Sequence, residues 1–186
     1  MGNIVSYLKW RGDISLRERP FCDVDNLVLS ELAYLDFTGI VPSPLGGGSI
    51  LVSDAAEQLE QHGKAGGIMD FPADFVSAFV HSKRFRTAEL ANFVYITDSV
   101  SQIQFSALHI ALDDGTTYIA FRRTGDEIVG WREDFCMSYQ IMPAQKQAVL
   151  LSDPDVRNRN ADEPCFRIVR LYRAASEHRL FRAGVL

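Results

Sequence analysis

The stretch QIQFSALHIALDDGTTYIAF (residues 102–121) decides how this chain is read. It contains two runs rich in β-branched and aromatic residues, separated by Asp113-Asp114-Gly115-Thr116. Side chains of this kind fit a pleated, half-buried surface. An Asp-Gly turn between two such runs is a strong hairpin signal, because glycine enters the left-handed region without a steric cost. Just upstream, FVYITD (93–98) has the same character. From about Asn92 the apolar period changes from helical to extended, which predicts a sheet containing a β-hairpin.

On the N-terminal side of this sheet the spacing predicts helices. Asn3 to Trp10 places Ile4, Tyr7 and Leu8 on one face, with Gly12 just past the end. A second helix is expected after Asp25, whose side chain is read as a cap for the N–H groups of Leu27 and Val28. Val28, Leu32 and Leu35 line its apolar stripe, with Leu29 and Ala33 beside them. VPSPLGGGSI (41–50) reads as a loop. Asp54 and Glu57 have the spacing of a capping box for a helix through about Gln61. A further helix near Pro72 carries Phe75, Val76, Phe79 and Val80 on its apolar face. Beyond the sheet, GWREDF (130–135) and PAQKQAVLL (143–151) read as helices. Helices, then strands, then helices suit an α/β or α+β layer fold.

Composition removes several classes. The chain has 186 residues, 47% hydrophobic and 23% charged, which excludes disorder over most of its length. No apolar stretch approaches the roughly 18–20 residues that a membrane-spanning helix needs. Residues 1–13 lack the basic start and apolar run of a secretory leader. Cys22, Cys136 and Cys165 are odd in number and far apart, so neither a disulfide framework nor a metal site is expected, and a cytoplasmic location is. A net charge of -5 argues against general nucleic-acid binding. Composition also shifts along the chain. Lysine occurs only at 9, 64, 83 and 146, while seven of fifteen arginines lie in the last thirty residues. Residues 1–150 and the arginine-rich tail 151–186 are therefore treated as different kinds of sequence. Within that tail, residues 165–173 are compatible with a strand or an amphipathic helix.

Few motifs point to chemistry. Gly46-Gly47-Gly48-Ser49 lacks the Lys-Ser/Thr pair of a phosphate loop and reads as a connection. His62, His81, His109 and His178 are dispersed; the first two sit near helix ends, and His109 falls within a strand, half-buried. No serine lies in G-x-S-x-G, the strained turn that exposes a hydrolase nucleophile. The richest segment runs from Tyr118 through Arg122, Arg123, Thr124, Gly125 and Asp126 to Trp131, Arg132 and Phe135. A buried strand ending in a Thr-Gly turn offers backbone N–H groups at its carboxyl edge, where open α/β sheets bind ligands. The plainer reading makes Arg122, Arg123 and Asp126 a solvated charge cluster while Trp131 and Phe135 pack. Trp131, Phe135 and Tyr139 at i, i+4, i+8 likewise read as packing before they read as a ligand pocket.

At this segment the chain resembles a bacterial family of uncharacterised α/β-hydrolase-like proteins related to the class-three lipases. The likeness rests on residues 104–135 (QFSALHIALDDGTTYIAFRRTGDEIVGWREDF), with NIVSYLKWRGD (3–13), VDNLVLSELAYLDFTGIVP (24–42) and MPAQKQAV (142–149) in the same order. It covers about residues 1–150. It implies an incomplete lipase-like α/β-hydrolase fold, with N-terminal helices, a hairpin-containing sheet and further helices. It also implies an acyl ester or lipid substrate, no cofactor, and Thr124 at the oxyanion-hole position, after a strand that ends Phe-Arg-Gly-Thr in the family. Arg123 stands where that pattern has glycine.

The family's nucleophile elbow, Gly-His-Ser-Lys-Gly-Gly, and the acid and histidine that follow it have no counterpart here. Ser176 and His178 are two apart on one chain and do not make a triad. The expectation is a truncated or degenerate relative, inactive as written, its tail either the product of a frameshift or premature truncation or a genuine helix making a surface contact. The alternative is a non-catalytic interaction or scaffold protein. Truncation would expose some of Ile119, Phe121, Ile110 and Leu112 and favour self-association.

Overall fold

The structure is a computed structural model, and it describes residues 3–64, 74–98, 103–122 and 165–169. Among these residues, four helices and a sheet form a mixed α/β unit. Helices α1 (Ile4–Arg11), α2 (Asp23–Leu32), α3 (Val52–Gln61) and α4 (Phe75–His81) all pack on one face. The strands are β1 (Ile50–Leu51), β2 (Glu89–Asp98), β3 (Ile103–Ala111), β4 (Thr116–Arg122) and β5 (Cys165–Val169), and their spatial order follows the chain. β1 to β4 are antiparallel neighbours, whereas β5 runs parallel to β4, Thr116 opposite Cys165 through Ala120 opposite Val169. Among the described residues no helix is long and apolar enough to cross a membrane.

The hairpin forms as the Asp-Gly turn requires. Gly115 has φ 83°, its N–H donates to Leu112 O, and the Thr116 N–H donates to Asp114 Oδ1. Along β3 and β4 the period of two sends Leu108, Ile110, Tyr118 and Ala120 into the helix-covered core. Phe105 and Ala107 on the opposite face gather Val94, Ile96 and Phe121. Ile110, Leu112 and Ile119 are buried and Phe121 is half-buried. The expected exposure is therefore corrected for Ile110, Leu112 and Ile119, while Phe121 stays partly exposed. The helices cover Ile110 and Leu112 directly.

Two caps also differ from expectation. α2 begins two residues before Asp25, with Cys22 as its cap residue, so Asp25 lies inside the first turn. The Asp25 carboxylate reaches back to accept from the Cys22 N–H at 2.8 Å instead of capping Leu27 and Val28. α3 starts at Val52, ahead of Asp54, and no side chain caps it; hydrogen bonding of Val52 N–H to Ala88 O seats its first turn against the sheet. The 41–50 segment is a loop, as expected, except that Ile50 opens β1. Pro72, the segments 130–135 and 143–151 expected to be helical, and most of the tail lie outside the described residues. Cys165–Val169 takes the strand alternative of the two open to it.

The decisive contact lies beneath the helices. Arg84, on the link from α4 to β2, and Asp25 of α2 are both buried, with side chains 3% and 0% exposed. Arg84 Nε donates to Asp25 Oδ1 at 2.6 Å and a terminal nitrogen donates to Oδ2. The remaining guanidinium N–H groups donate to the carbonyls of Ile14, Ser15, Arg19 and Pro20. The Tyr7 hydroxyl donates to Asp25 Oδ1 at 2.8 Å. A buried ion pair survives only when its other lone pairs and protons are satisfied, and here they are. Gly12 admits the arrangement. A Cβ there would meet Leu8 O at 2.2 Å and Ser82 Oγ at 2.9 Å, next to the Arg84 N–H bond to Gly12 O.

Burial alone would raise the Asp25 carboxyl, but Arg84, the Cys22 N–H and Tyr7 outweigh it and hold it below its ordinary value. The folded chain thus binds that proton less readily than the unfolded chain. The stabilisation is complete above pH about 4, the ordinary aspartate value, and is lost as pH falls through the folded-state value. Asp25→Asn should lower the unfolding free energy by about 3–5 kcal/mol, because Arg84 is left buried without its counter-charge. Urea unfolding at pH 7 and at pH 3 checks both statements: the parent should weaken at the lower pH, and the variant should change less.

Candidate functional site at the carboxyl end of β4

β4 is the strand where the sheet changes from antiparallel to parallel. Its carboxyl end and that of β5 point the same way, and ligands of open α/β sheets bind beyond such ends. The strand is held firmly. The Tyr118 hydroxyl donates to Asn26 Oδ1 and lies 3.2 Å from Asn26 O, which fixes β4 under α2. Tyr118, Ile119 and Ala120 are fully buried. Burial pushes the Tyr118 phenol well above its ordinary range, so the group stays a neutral donor.

The last described residue of this strand is Arg122. Its guanidinium carbon sits 4.8 Å from the centroid of the Tyr95 ring, a cation–π contact that spans from β4 to β2. Between them, in register with both, lies Ser106 of β3. Thr124, two residues further along the chain, lies outside the described residues. So do Arg123, Gly125, Asp126, Trp131, Phe135, Tyr139, Ser176 and His178.

The described histidines fall in three separate places. His62 and His81 each donate from Nδ1 to the carbonyl four residues earlier, at Gln58 (2.7 Å) and Ser77 (2.8 Å), which satisfies helix C-termini. His109 is 5% exposed, more deeply buried than expected, and its Nδ1 accepts from the Asn92 amide at 3.1 Å. Asn92 sits at a bulge between Ala91 and Val94 and has φ 52°, the left-handed region that asparagine tolerates better than most residues. The bulge lets Phe93 enter the core against Phe37 while Asn92 turns to His109. Among the described residues no group of three His, Cys, Asp or Glu side chains is placed to hold a metal ion.

Arg122 is expected at this edge from its place in the sequence, whereas Tyr95, Ser106 and Asn92 are not. Ser106 carried a usable signal, since alternation puts it on the same face as Leu108 and Ile110. The bulge had none, because the period of two was broken without a glycine.

A family model described as Mbeg1-like, a family related to lipases, matches residues 79–153. The match includes β2, β3, β4 and Thr124. No curated protein and no solved structure matches the chain.

The bulge gives a direct test. Asn92→Val should destabilise by about 1–3 kcal/mol, because a β-branched residue is strained at positive φ and the His109 contact is lost. Asn92→Gly relieves the strain while losing the same contact, so its urea midpoint should fall between those of the parent and the valine variant.

Proposed function

We propose that residues 1–150 are the N-terminal part of a lipase-like α/β-hydrolase domain, and that the carboxyl end of β4 delivers Thr124 as an oxyanion donor. The substrate class is an acyl ester or lipid. The observation that carries this reading is the antiparallel-to-parallel switch at β4, inside the segment matched by the lipase-related family model. A donor at such an edge stabilises the negative oxygen that develops when a nucleophile attacks an ester carbonyl.

That oxygen develops only if something attacks. Residues 1–186 contain no G-x-S-x-G serine. A triad needs its nucleophile and base within hydrogen-bond reach, with the base oriented by a third group. Among the described residues, Nδ1 of His62 and of His81 is committed to a helix carbonyl and Nδ1 of His109 to Asn92. On this reading the 186-residue polypeptide keeps the oxyanion-side scaffold and does not itself catalyse acyl transfer. It acts as a non-catalytic interaction or scaffold protein in the cytoplasm.

Fluorophosphonate labelling and hydrolysis of a p-nitrophenyl ester test the proposal together. The purified polypeptide should incorporate no label and hydrolyse the ester no faster than buffer. Turnover that disappears when one serine is changed to alanine would overturn it.

A further inference from the structure

Tyr95, Ser106 and Arg122 form one cross-strand row on β2, β3 and β4. Residues directly opposite one another share a face, so all three side chains stand on the side of Leu108 and Ile110. Adjacent strands lie about 4.8 Å apart, which puts the Tyr95 and Arg122 backbones about 10 Å from each other. To reach 4.8 Å from the Tyr95 ring, the Arg122 guanidinium must cross above Ser106. Ser106 is accordingly 2% exposed, and its hydroxyl has no hydrogen-bond partner among the described residues. A buried hydroxyl without a partner is uncommon and calls for an explanation. Arg122 makes no ion pair among the described residues. Tyr95, at the outer end of the row, is 45% exposed.

We propose that this row is an anion subsite for a phosphomonoester. Resting on the lipase-like reading above, we assign it to the headgroup phosphate of an acyl-ester lipid. A guanidinium presents a planar fork of N–H donors that matches two phosphate oxygens. The Tyr95 face supports the cation while leaving those edge donors free. The Ser106 hydroxyl donates to a third oxygen, which supplies the partner it lacks.

Calorimetric titration of the full chain at low ionic strength tests this. The probes are inorganic phosphate, dihexanoyl phosphatidate, and dihexanoyl phosphatidylcholine, which lacks a phosphomonoester. Phosphatidate should bind saturably and more tightly than phosphate, and phosphatidylcholine should not compete. Arg122→Gln should weaken binding at least about tenfold, the scale of a lost charged hydrogen-bond pair. Ser106→Ala should weaken it about threefold without lowering the urea midpoint, because that hydroxyl has no partner to lose. This second variant carries the test if the first does not fold.

Phosphate binding with no gain from the acyl chains keeps the anion subsite and overturns its assignment to a lipid. Absence of saturable binding by either anion, or binding unchanged in both variants, overturns the subsite itself. None of these measurements requires turnover, so they stand or fall separately from fluorophosphonate labelling.

Discussion

A guanidinium and a carboxylate withdrawn from water hold four pieces of this chain in one place. Arg84 and Asp25 neutralise each other, but the geometry around them matters as much as the charge. The chain between α1 and α2 is irregular, and its inward carbonyls at Ile14, Ser15, Arg19 and Pro20 need donors that no helix or strand supplies. Arginine carries five N–H groups in a fixed fork, enough to meet a carboxylate and several carbonyls at once. Lysine, with a single nitrogen, does not span that set. Tyr7 joins α1 to the same carboxylate, and the Cys22 N–H joins the start of α2.

The pair also sets where the sheet begins. Arg84 is followed by Phe85, stacked on Phe79 at 4.9 Å, and by Ala88, whose carbonyl accepts from the first residue of α3. β2 starts at the next residue. α2, held by Asp25, in turn holds β4 through Asn26 and Tyr118, one position along the helix from the buried carboxylate. The placement of the β4 carboxyl end therefore descends from the helix layer by two short polar links. The row of Tyr95, Ser106 and Arg122 lies beyond those links, where β3 and β4 continue past Leu108 and Ala120.

The elements with strong local patterns are legible in the amino-acid order alone. Alternation and the Asp-Gly turn specify the β3–β4 hairpin, and the apolar stripes of α1, α2 and α4 mark their buried faces. What failed were inferences about polar residues near helix starts. Asp25 and Asp54 both fit a cap by spacing, yet Asp25 is drawn inward by Arg84, fifty-nine positions away in sequence. α3 begins where a backbone bond to Ala88 allows it. The strand alternative for 165–169 depended on whether β4 had an open edge to pair with, a question that local sequence does not pose.

Amino-acid order alone establishes which segments alternate, which coil, where the hairpin turns, and that no serine occupies a G-x-S-x-G elbow. Those properties depend on neighbours within a few positions, so local sterics and periodicity suffice. Folding into layers is what brings Asp25 into an ion pair, breaks the strand at Asn92 to meet His109, and sets Ser106 under Arg122 beside Tyr95. Each of those outcomes joins residues far apart in the chain through burial, and burial is a property of the assembled layers.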